Sequence, residues 1–403
     1  MAQRQAVTMK LARRYFAGSK AEKSKVLDEL VGLTGWHRDH ARTALRQSLD
    51  PPRPPKRAAR RPTYSAAVVG ALSVCWAETR YPTGKRLAPM LPVLVPLLVR
   101  DGHLRLSAQE VRALLAMSPA TIDRRLAPDR RLLVGRGRSH TKPGTLLKSQ
   151  IPIKTWRDWD DTVPGFVEVD LVGHEGGNPS GEFCCTLTMT DVATGWTVNR
   201  SVKNKAATWV NDAIDYASAR FPFPIVGIDS DNGAEFINMH LYAYCLQRQI
   251  TFTRARPGNK NDGAHVEQKN WTHVRELVGY LRYDTEAELE VLNRIWELDA
   301  VFTNHLLAQQ KLVEKRRAGA KVVRRYDAAQ TPVQRVLATD ILTGPQRGAL
   351  KRATSRIHPV EHSQQIRDLL KELERRSLGK PPAPAPPKVN RSFNSRPHPE
   401  IHT

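Results

Sequence analysis

Between residues 162 and 281 the chain alternates strand-like and helix-like segments, and that alternation is its strongest constraint on fold. Residues 166–172, Phe166-Val-Glu-Val-Asp-Leu-Val172, form an apolar run of strand length that closes in a turn-rich loop over 173–181. Residues 183–191 and 196–202 read as a hairpin joined through Ala193, Thr194 and Gly195. An amphipathic helix follows over 206–220, then a strand from Ile225 that ends at Asn232-Gly233, a pair that tolerates positive φ. Residues 235–249 read as a helix, 250–254 as a short strand and 263–281 as one long helix. The expectation is an α/β core with a five-stranded mixed sheet flanked by helices, spanning 161–308.

Three carboxylates stand at structurally comparable places in that pattern. Asp170 lies near the end of the first strand, Asp231 just past the fourth, and Glu267 in the first turns of the helix after the fifth. Strand ends in open α/β sheets gather ligands, so three acids distant in sequence can meet at one point. Clustered carboxylates repel one another and stay ionised only beside cations. Hard oxygen donors with open positions suit Mg²⁺ or Mn²⁺. Two such ions about 4 Å apart serve in-line phosphoryl displacement. The neighbouring polar residues take humbler readings: Asp191 as a cap of the hairpin turn, Asp229 as structural, Glu168 as a member of an ion pair. His174 and His265 flank the site as candidate substrate contacts.

The motifs around these acids carry a resemblance. Val167-Glu-Val-Asp170, Asp229-Ser-Asp-Asn-Gly-Ala-Glu-Phe236 and Gly258-Asn-Lys-Asn-Asp-Gly-Ala-His-Val-Glu267, with 35 residues between Asp231 and Glu267, resemble the three-part signature of the integrase catalytic core. That family joins retroviral integrases and bacterial insertion-sequence transposases on an RNase H-like fold. The resemblance covers about residues 164–307. It implies that Asp170, Asp231 and Glu267 are the metal ligands and that the reaction is cleavage at DNA element ends followed by 3′-hydroxyl strand transfer. It favours the bacterial transposase branch, because the N-terminal His/Cys zinc module of retroviral integrases has no counterpart here. One departure concerns the helix of the Glu: retroviral relatives carry lysines on its metal-facing side, whereas here Trp271 stands four residues after Glu267, and Asn270 and Arg275 lie nearer its face.

Charge points to the same substrate. With 63 Lys and Arg against 40 Asp and Glu, the net charge is +23. Such an excess repels itself in a compact state and is rewarded by counterion release from a phosphate backbone; an acidic membrane surface is the alternative. Residues 51–63 and 130–160 read as basic linkers and 379–403 as a Pro-rich disordered tail. Residues 1–50 and 64–129 each contain a helix-turn-helix pattern, at 20–47 and 104–126. Their second helices would present His37, Arg38 and Arg42, then Thr121, Arg124 and Arg125, to a major groove. A plain αα-hairpin with a solvated charged face is the competing reading. Arg254, Arg256, Lys260 and Lys269 are read as a basic rim gripping phosphates beside Glu267, with Arg275 as a further DNA contact.

The region 309–378 is basic, with Glu314 the sole acid between residues 311 and 325, and ends in an amphipathic helix through Ile366, Leu369, Leu370 and Leu373. That helix either packs on the core or mediates self-association. The apolar run 87–99 is too short to span a bilayer and holds three prolines, so it reads as a buried helix start. Four cysteines without CxxC spacing read as buried and inert in a reducing compartment. The expected partners are DNA, as terminal inverted repeats and target, and a second copy or more of the chain on that DNA. No membrane partner is expected, a helper ATPase stays open, and the setting is the cytoplasm of a bacterium, at its nucleoid. The competing functions are a non-catalytic DNA-binding protein and an RNase H-type nuclease that cuts without joining.

Overall fold

A computed structural model describes residues 2–49, 63–131, 163–230, 236, 239–254, 266, 269–318 and 321–381. Apart from their end residues, both basic linkers and the Pro-rich tail lie outside the described residues. The chain divides into two compact units, Met1–Thr63 and Tyr64–Thr403.

The first unit holds three helices: α1 (Ala2–Ala17), α2 (Lys20–Thr34) and α3 (Arg38–Leu49). The pattern at 20–47 gives α2 and α3. Helix α1 falls in a stretch whose sequence reads only as alternating polar and basic residues, yet it supplies Leu11, Ala12 and Tyr15 to a core shared with Val26, Leu27, Leu30, Ala41 and Leu45. Ser19 and Glu22 form a capping box at the start of α2, and Gly35, at φ 71°, ends it by donating its N–H to the Val31 carbonyl. That positive φ is where a residue with a side chain would be strained.

The second unit opens with α4 (Ala66–Glu78), α5 (Gly84–Leu87), α6 (Leu91–Arg100), α7 (Ala108–Leu115) and α8 (Pro119–Arg131). A Ser107–Glu110 capping box starts α7. The apolar run at 87–99 is buried through Leu87, Leu91, Leu94, Val95 and Leu98. No described helix is long and apolar enough to cross a membrane.

The sheet follows: β1 (Phe166–Gly173), β2 (Cys185–Asp191), β3 (Thr197–Val202), β4 (Gly227–Ser230) and β5 (Thr251–Arg254), with α9 (Ala207–Ser218) and α10 (Met239–Gln247) between strands. Its order is β3-β2-β1-β4-β5. Strands β1, β2 and β3 are antiparallel neighbours, while β4 and β5 join parallel to β1. This is the five-stranded mixed sheet of the RNase H-like class.

The helix expected over 263–281 differs from its reading. Among the described residues it contains a π-helical stretch, Asn270–Arg275, and a last turn, Glu276–Val278, and it stops at Gly279 with φ 71°. Amphipathic spacing cannot register a π segment, and Gly279, at φ 71° and ψ −150°, a conformation open chiefly to glycine, ends the helix before Leu281.

Beyond it, α11 (Glu286–Leu306) starts at the Thr285–Glu288 capping box. Strands β6 (Leu312–Ala318) and β7 (Lys321–Tyr326) pair as a separate ribbon in the segment whose sequence reads only as basic. Helices α12 (Pro332–Ala338), α13 (Gly344–Ser355) and α14 (Pro359–Leu378) close the unit. The amphipathic α14 packs within the unit: Leu369 and Leu373 join Leu292, Ile295 and Trp296 of α11, so its apolar stripe is spent on the core. All four cysteines are free and buried, and burial pushes the Cys75, Cys184 and Cys245 thiols up to about 12.

Candidate active site

The sheet has two unlike faces, because strand residues alternate sides. One face carries Val167, Val169, Leu187, Met189, Val198 and Ile228 into a core with Val210 and Ile214 of α9 and Leu241 of α10. The other is polar: Glu168 pairs with Thr190 and Asp229, and Asp170 with Thr188. Helix α11 covers part of this polar face. Asn304 accepts from the Thr197 N–H at 2.9 Å and donates to its carbonyl at 2.8 Å, while Asn293 does the same for Ser201 at 2.9 and 3.1 Å. Two asparagines thus satisfy four backbone groups of the edge strand β3, which would otherwise stand unpaired. The alternation Cys185-Thr-Leu-Thr-Met-Thr-Asp191 is the sequence trace of this division.

Asp170 sits on the polar face near the end of β1, half-buried. Its Oδ2 accepts from Asn270 Nδ2 at 2.6 Å and its Oδ1 from the Leu171 N–H at 2.8 Å. Asp231 and Glu267 lie outside the described residues, but their neighbours do not. Ser230, just before Asp231, is paired with Val169, just before Asp170. Val266, just before Glu267, donates its N–H to Glu168 Oε2 at 3.1 Å. Glu168, read as an ion-pair member, therefore ties the backbone that leads to Glu267. Asp229 accepts from Thr253 Oγ1 at 2.6 Å and is buried, as its structural reading requires. Asp191 caps its turn, accepting from the Thr194 N–H and hydroxyl and from the Gly165 N–H; burial raises its carboxyl above the ordinary value against these bonds.

His174 is buried, bonded through Nε2 to Thr186 Oγ1 at 2.7 Å, and burial beside Arg275 pulls it down to about 3. It is a neutral packing residue, not a substrate contact. His265 lies outside the described residues. No group of three or more metal-ligating side chains occurs among the described residues.

The basic rim is corrected in part. Arg254 and Lys269 are each 7% exposed, so neither faces solvent to meet phosphate. Lys269 Nζ donates to Gln309 Oε1 and lies 3.4 Å from His273 Nε2; burial, then the nearby Arg86, holds its ammonium well below the ordinary value. Helical angle alone does not reveal that α11 and the segment after it cover this side of the helix. Arg275 is likewise internal: it donates to the Gly173 carbonyl at 2.7 Å and pins the loop after β1. Arg282, which sequence reasoning missed, donates to the carbonyls of Asn178, Ser180 and Glu182 in the same loop. Gly176, at φ 62°, is required there, since a Cβ would meet Arg282 Cβ at 2.5 Å. Arg256 and Lys260 lie outside the described residues.

On the helical modules, Arg124 and Arg125 are exposed on α8, with Arg124 bonded to Thr121 Oγ1 at 3.0 Å and Arg125 over the Tyr64 ring. Arg38 is tied to Asp28 and Ser24, and Arg42 to Asp39 at 2.9 Å. The module 64–131 is joined to the core by polar contacts that its sequence did not announce. Arg80 pairs with the buried Asp299 at 2.6 Å, Arg86 Nε donates to the Ala308 carbonyl at 2.8 Å, and Arg100 Nη2 to the Ile357 carbonyl at 2.7 Å.

Comparison with known proteins gives one family match, one extended relative and distant structural neighbours. The family model "Integrase core domain" matches residues 161–260. The uncharacterized protein y4rM of Sinorhizobium fredii is 38% identical over 335 residues, covering 83% of this chain and 95% of that protein. Among solved structures, the HTLV-2 integrase catalytic core in complex with magnesium aligns at a TM-score of 0.29 and 15% identity, covering 37% of this chain and 93% of that one. The catalytic core of BIV integrase aligns at 0.29 and 18% identity, covering 42% and 91%. Residues 161–260 therefore belong to the integrase core domain family, and over most of its length the chain belongs to one family with y4rM.

Proposed function

We propose that the protein is a DNA transposase that cuts at the ends of a mobile element and joins the freed 3′-hydroxyls to target DNA, with Asp170, Asp231 and Glu267 as its acid triad. DNA processing of the transposase or integrase type is what an integrase core serves. One observation carries the finer reading: the contacts of Asp170 and of the residues beside Asp231 and Glu267 converge. Asp170 meets Asn270, three residues past Glu267; Val169 is paired with Ser230; Glu168 holds the N–H of Val266.

The donor set fits a hard divalent cation. Besides the three carboxylates, Asn270 Oδ1 is buried with no hydrogen-bond partner among the described residues, and it is a hard oxygen next to Asp170. Asp170, Asp231 and Glu267 would hold Mg²⁺ or Mn²⁺, two ions in this reading, which when bound supply an activated oxygen nucleophile and stabilise the leaving oxygen. The chain's own residues orient and hold. Asn270 and the Leu171 N–H fix the Asp170 carboxylate, Glu168 fixes the backbone at Val266, and α11 bonds the edge strand of the same sheet. Arg38, Arg42, Arg124 and Arg125 on the two helical modules, with Arg256 and Lys260 shortly before Glu267 in sequence, supply DNA contacts. Because both element ends must react together, the working form is a dimer or higher assembly on DNA.

The test mixes purified protein with labelled pre-cut element ends and plasmid target in Mg²⁺ or Mn²⁺, with Glu267→Gln as control. Joined products that vanish in the control are expected. Binding to the ends without joining, equal in both proteins, would overturn the enzyme reading in favour of a DNA-binding repressor.

A further inference from the structure

The β6–β7 ribbon has no obvious reason to exist as a structural element. A two-stranded sheet standing alone is only marginally stable in water, since neither face is buried. Here Leu312, Val313, Val323 and Tyr326 are 44%, 63%, 48% and 49% exposed, and Arg316, Arg324 and Arg325 are exposed beside them. Cations stand along both strands. Lys315 is paired with Arg324, Arg316 with Val323, Arg317 with Val322 and Lys321 with Ala318, while Glu314, opposite Arg325, is the single acid between Leu312 and Tyr326.

The root of the ribbon, in contrast, is rigid. Gln309 and Gln330 exchange backbone hydrogen bonds of 2.8 and 3.0 Å. Asp327 accepts from the Lys311 N–H at 2.6 Å and pairs with Arg335 at 2.7 Å, and Lys311 Nζ donates to the Ala193 carbonyl at 3.0 Å. The Gln309 side chain also takes the Lys269 ammonium, two residues past Glu267. An exposed basic arm is thus fixed, at its base, to the described helical segment that begins at Lys269, two positions after Glu267 in sequence.

We infer that this ribbon is a DNA-binding arm that lies in a groove of the duplex, its cations on phosphates and its apolar residues on the groove floor. The inference deepens the proposed function by naming a surface that holds its DNA. A two-stranded ribbon has the dimensions of the major groove. The competing occupant, a second copy of the same ribbon, is opposed by like charge on both sides.

The experiment measures affinity of the full chain for duplex DNA across a salt series, for the wild type and for Arg316→Gln combined with Arg324→Gln and Arg325→Gln. Because counterion release contributes a slope of about 0.9 per phosphate contact, the triple variant is expected to flatten the log–log dependence by about 2 to 3. Its melting temperature is expected to stay unchanged, since all three side chains are exposed. A second variant, Val323→Asp, is expected to weaken binding at every salt concentration without flattening the slope as far. An unchanged slope in the folded triple variant overturns the inference. So does a loss of self-association by the triple variant without DNA, which would give the ribbon to a second copy. Glu267→Gln retains the full slope, so failure of the catalytic reading and failure of this one are read separately.

Discussion

The two helical modules look alike in sequence and differ in what lies behind them. Each presents a short second helix with paired cations, Arg38 and Arg42 on α3, Arg124 and Arg125 on α8. The first closes its core within residues 1–63, from eight buried side chains on three helices. The second belongs to the same compact unit as the sheet, bound through Arg80–Asp299, Arg86–Ala308 and Arg100–Ile357. A module with its own core can unfold by itself, whereas one that shares contacts with the sheet unfolds with it. Arg80 makes one such contact: its partner Asp299 also takes Thr303, whose hydroxyl lies 3.3 Å from His273, and His273 meets Lys269.

The largest expected effect separates the modules outright. Leu30→Ala removes a fully buried side chain from a small core, at a cost of about 2–5 kcal/mol, comparable with the whole stability of a domain of about 60 residues. Amide exchange across α1–α3 is expected to lose its protection while the melting transition of the second unit stays put. A shift of both transitions would show that the modules are not energetically independent. Next, Asp299→Ala strips the partner from Arg80 and leaves cations in a buried setting, costing the second unit about 3 kcal/mol in urea unfolding. A cost below about 1 kcal/mol would mean that the docking contact is solvated like a surface pair.

Acid sharpens the contrast. His174 and His305 are held down to about 3 and about 4 by burial, below the ordinary 6.5. The unfolded chain therefore binds more protons than the folded one below pH 6.5, so stability is full above that value and falls as pH drops toward 3, by up to about 1.4 kcal/mol per pH unit for each group. The second unit is expected to lose its melting temperature over that window through these groups. In the first unit both histidines, His37 and His40, are exposed. Equal acid sensitivity of the two transitions would remove His174 and His305 as the cause. The smallest effect is Arg38→Ala: the Arg38–Asp28 pair is largely solvated, so the first unit should lose no more than about 0.5 kcal/mol, seen as a shift of its urea midpoint, while affinity for DNA falls.

What was legible in the sequence follows from range. Local signals carried well: the alternation of β2, the capping boxes at Ser107 and Thr285, and the apolar stripe of α14 each depend on residues a few positions apart. The place of Asp170 on the polar side of β1, near its end, was legible from the strand pattern alone. The failures are of longer reach. Lys269 reads as a surface cation on its own helix and is buried by Gln309, forty positions on. Arg275 and Arg282 serve the loop after β1, about a hundred positions away. Helix α1 was missed because its apolar face is only Leu11, Ala12 and Tyr15 on an otherwise polar helix. The π-helical stretch at Asn270–Arg275 turns side chains away from α-helical register, so reading Arg275 from helical angle misplaced it.

The most direct test of the account is binding of Mn²⁺ to the full chain without DNA, read by electron paramagnetic resonance in the wild type and in Asp170→Asn. Asp170 is half-exposed and its hydrogen bond from the Leu171 N–H can be kept by an amide oxygen, so the variant is expected to fold. The account predicts that ion binding present in the wild type is lost or weakened at least tenfold in the variant. Equal binding in the two proteins would contradict it and remove Asp170 from any metal centre.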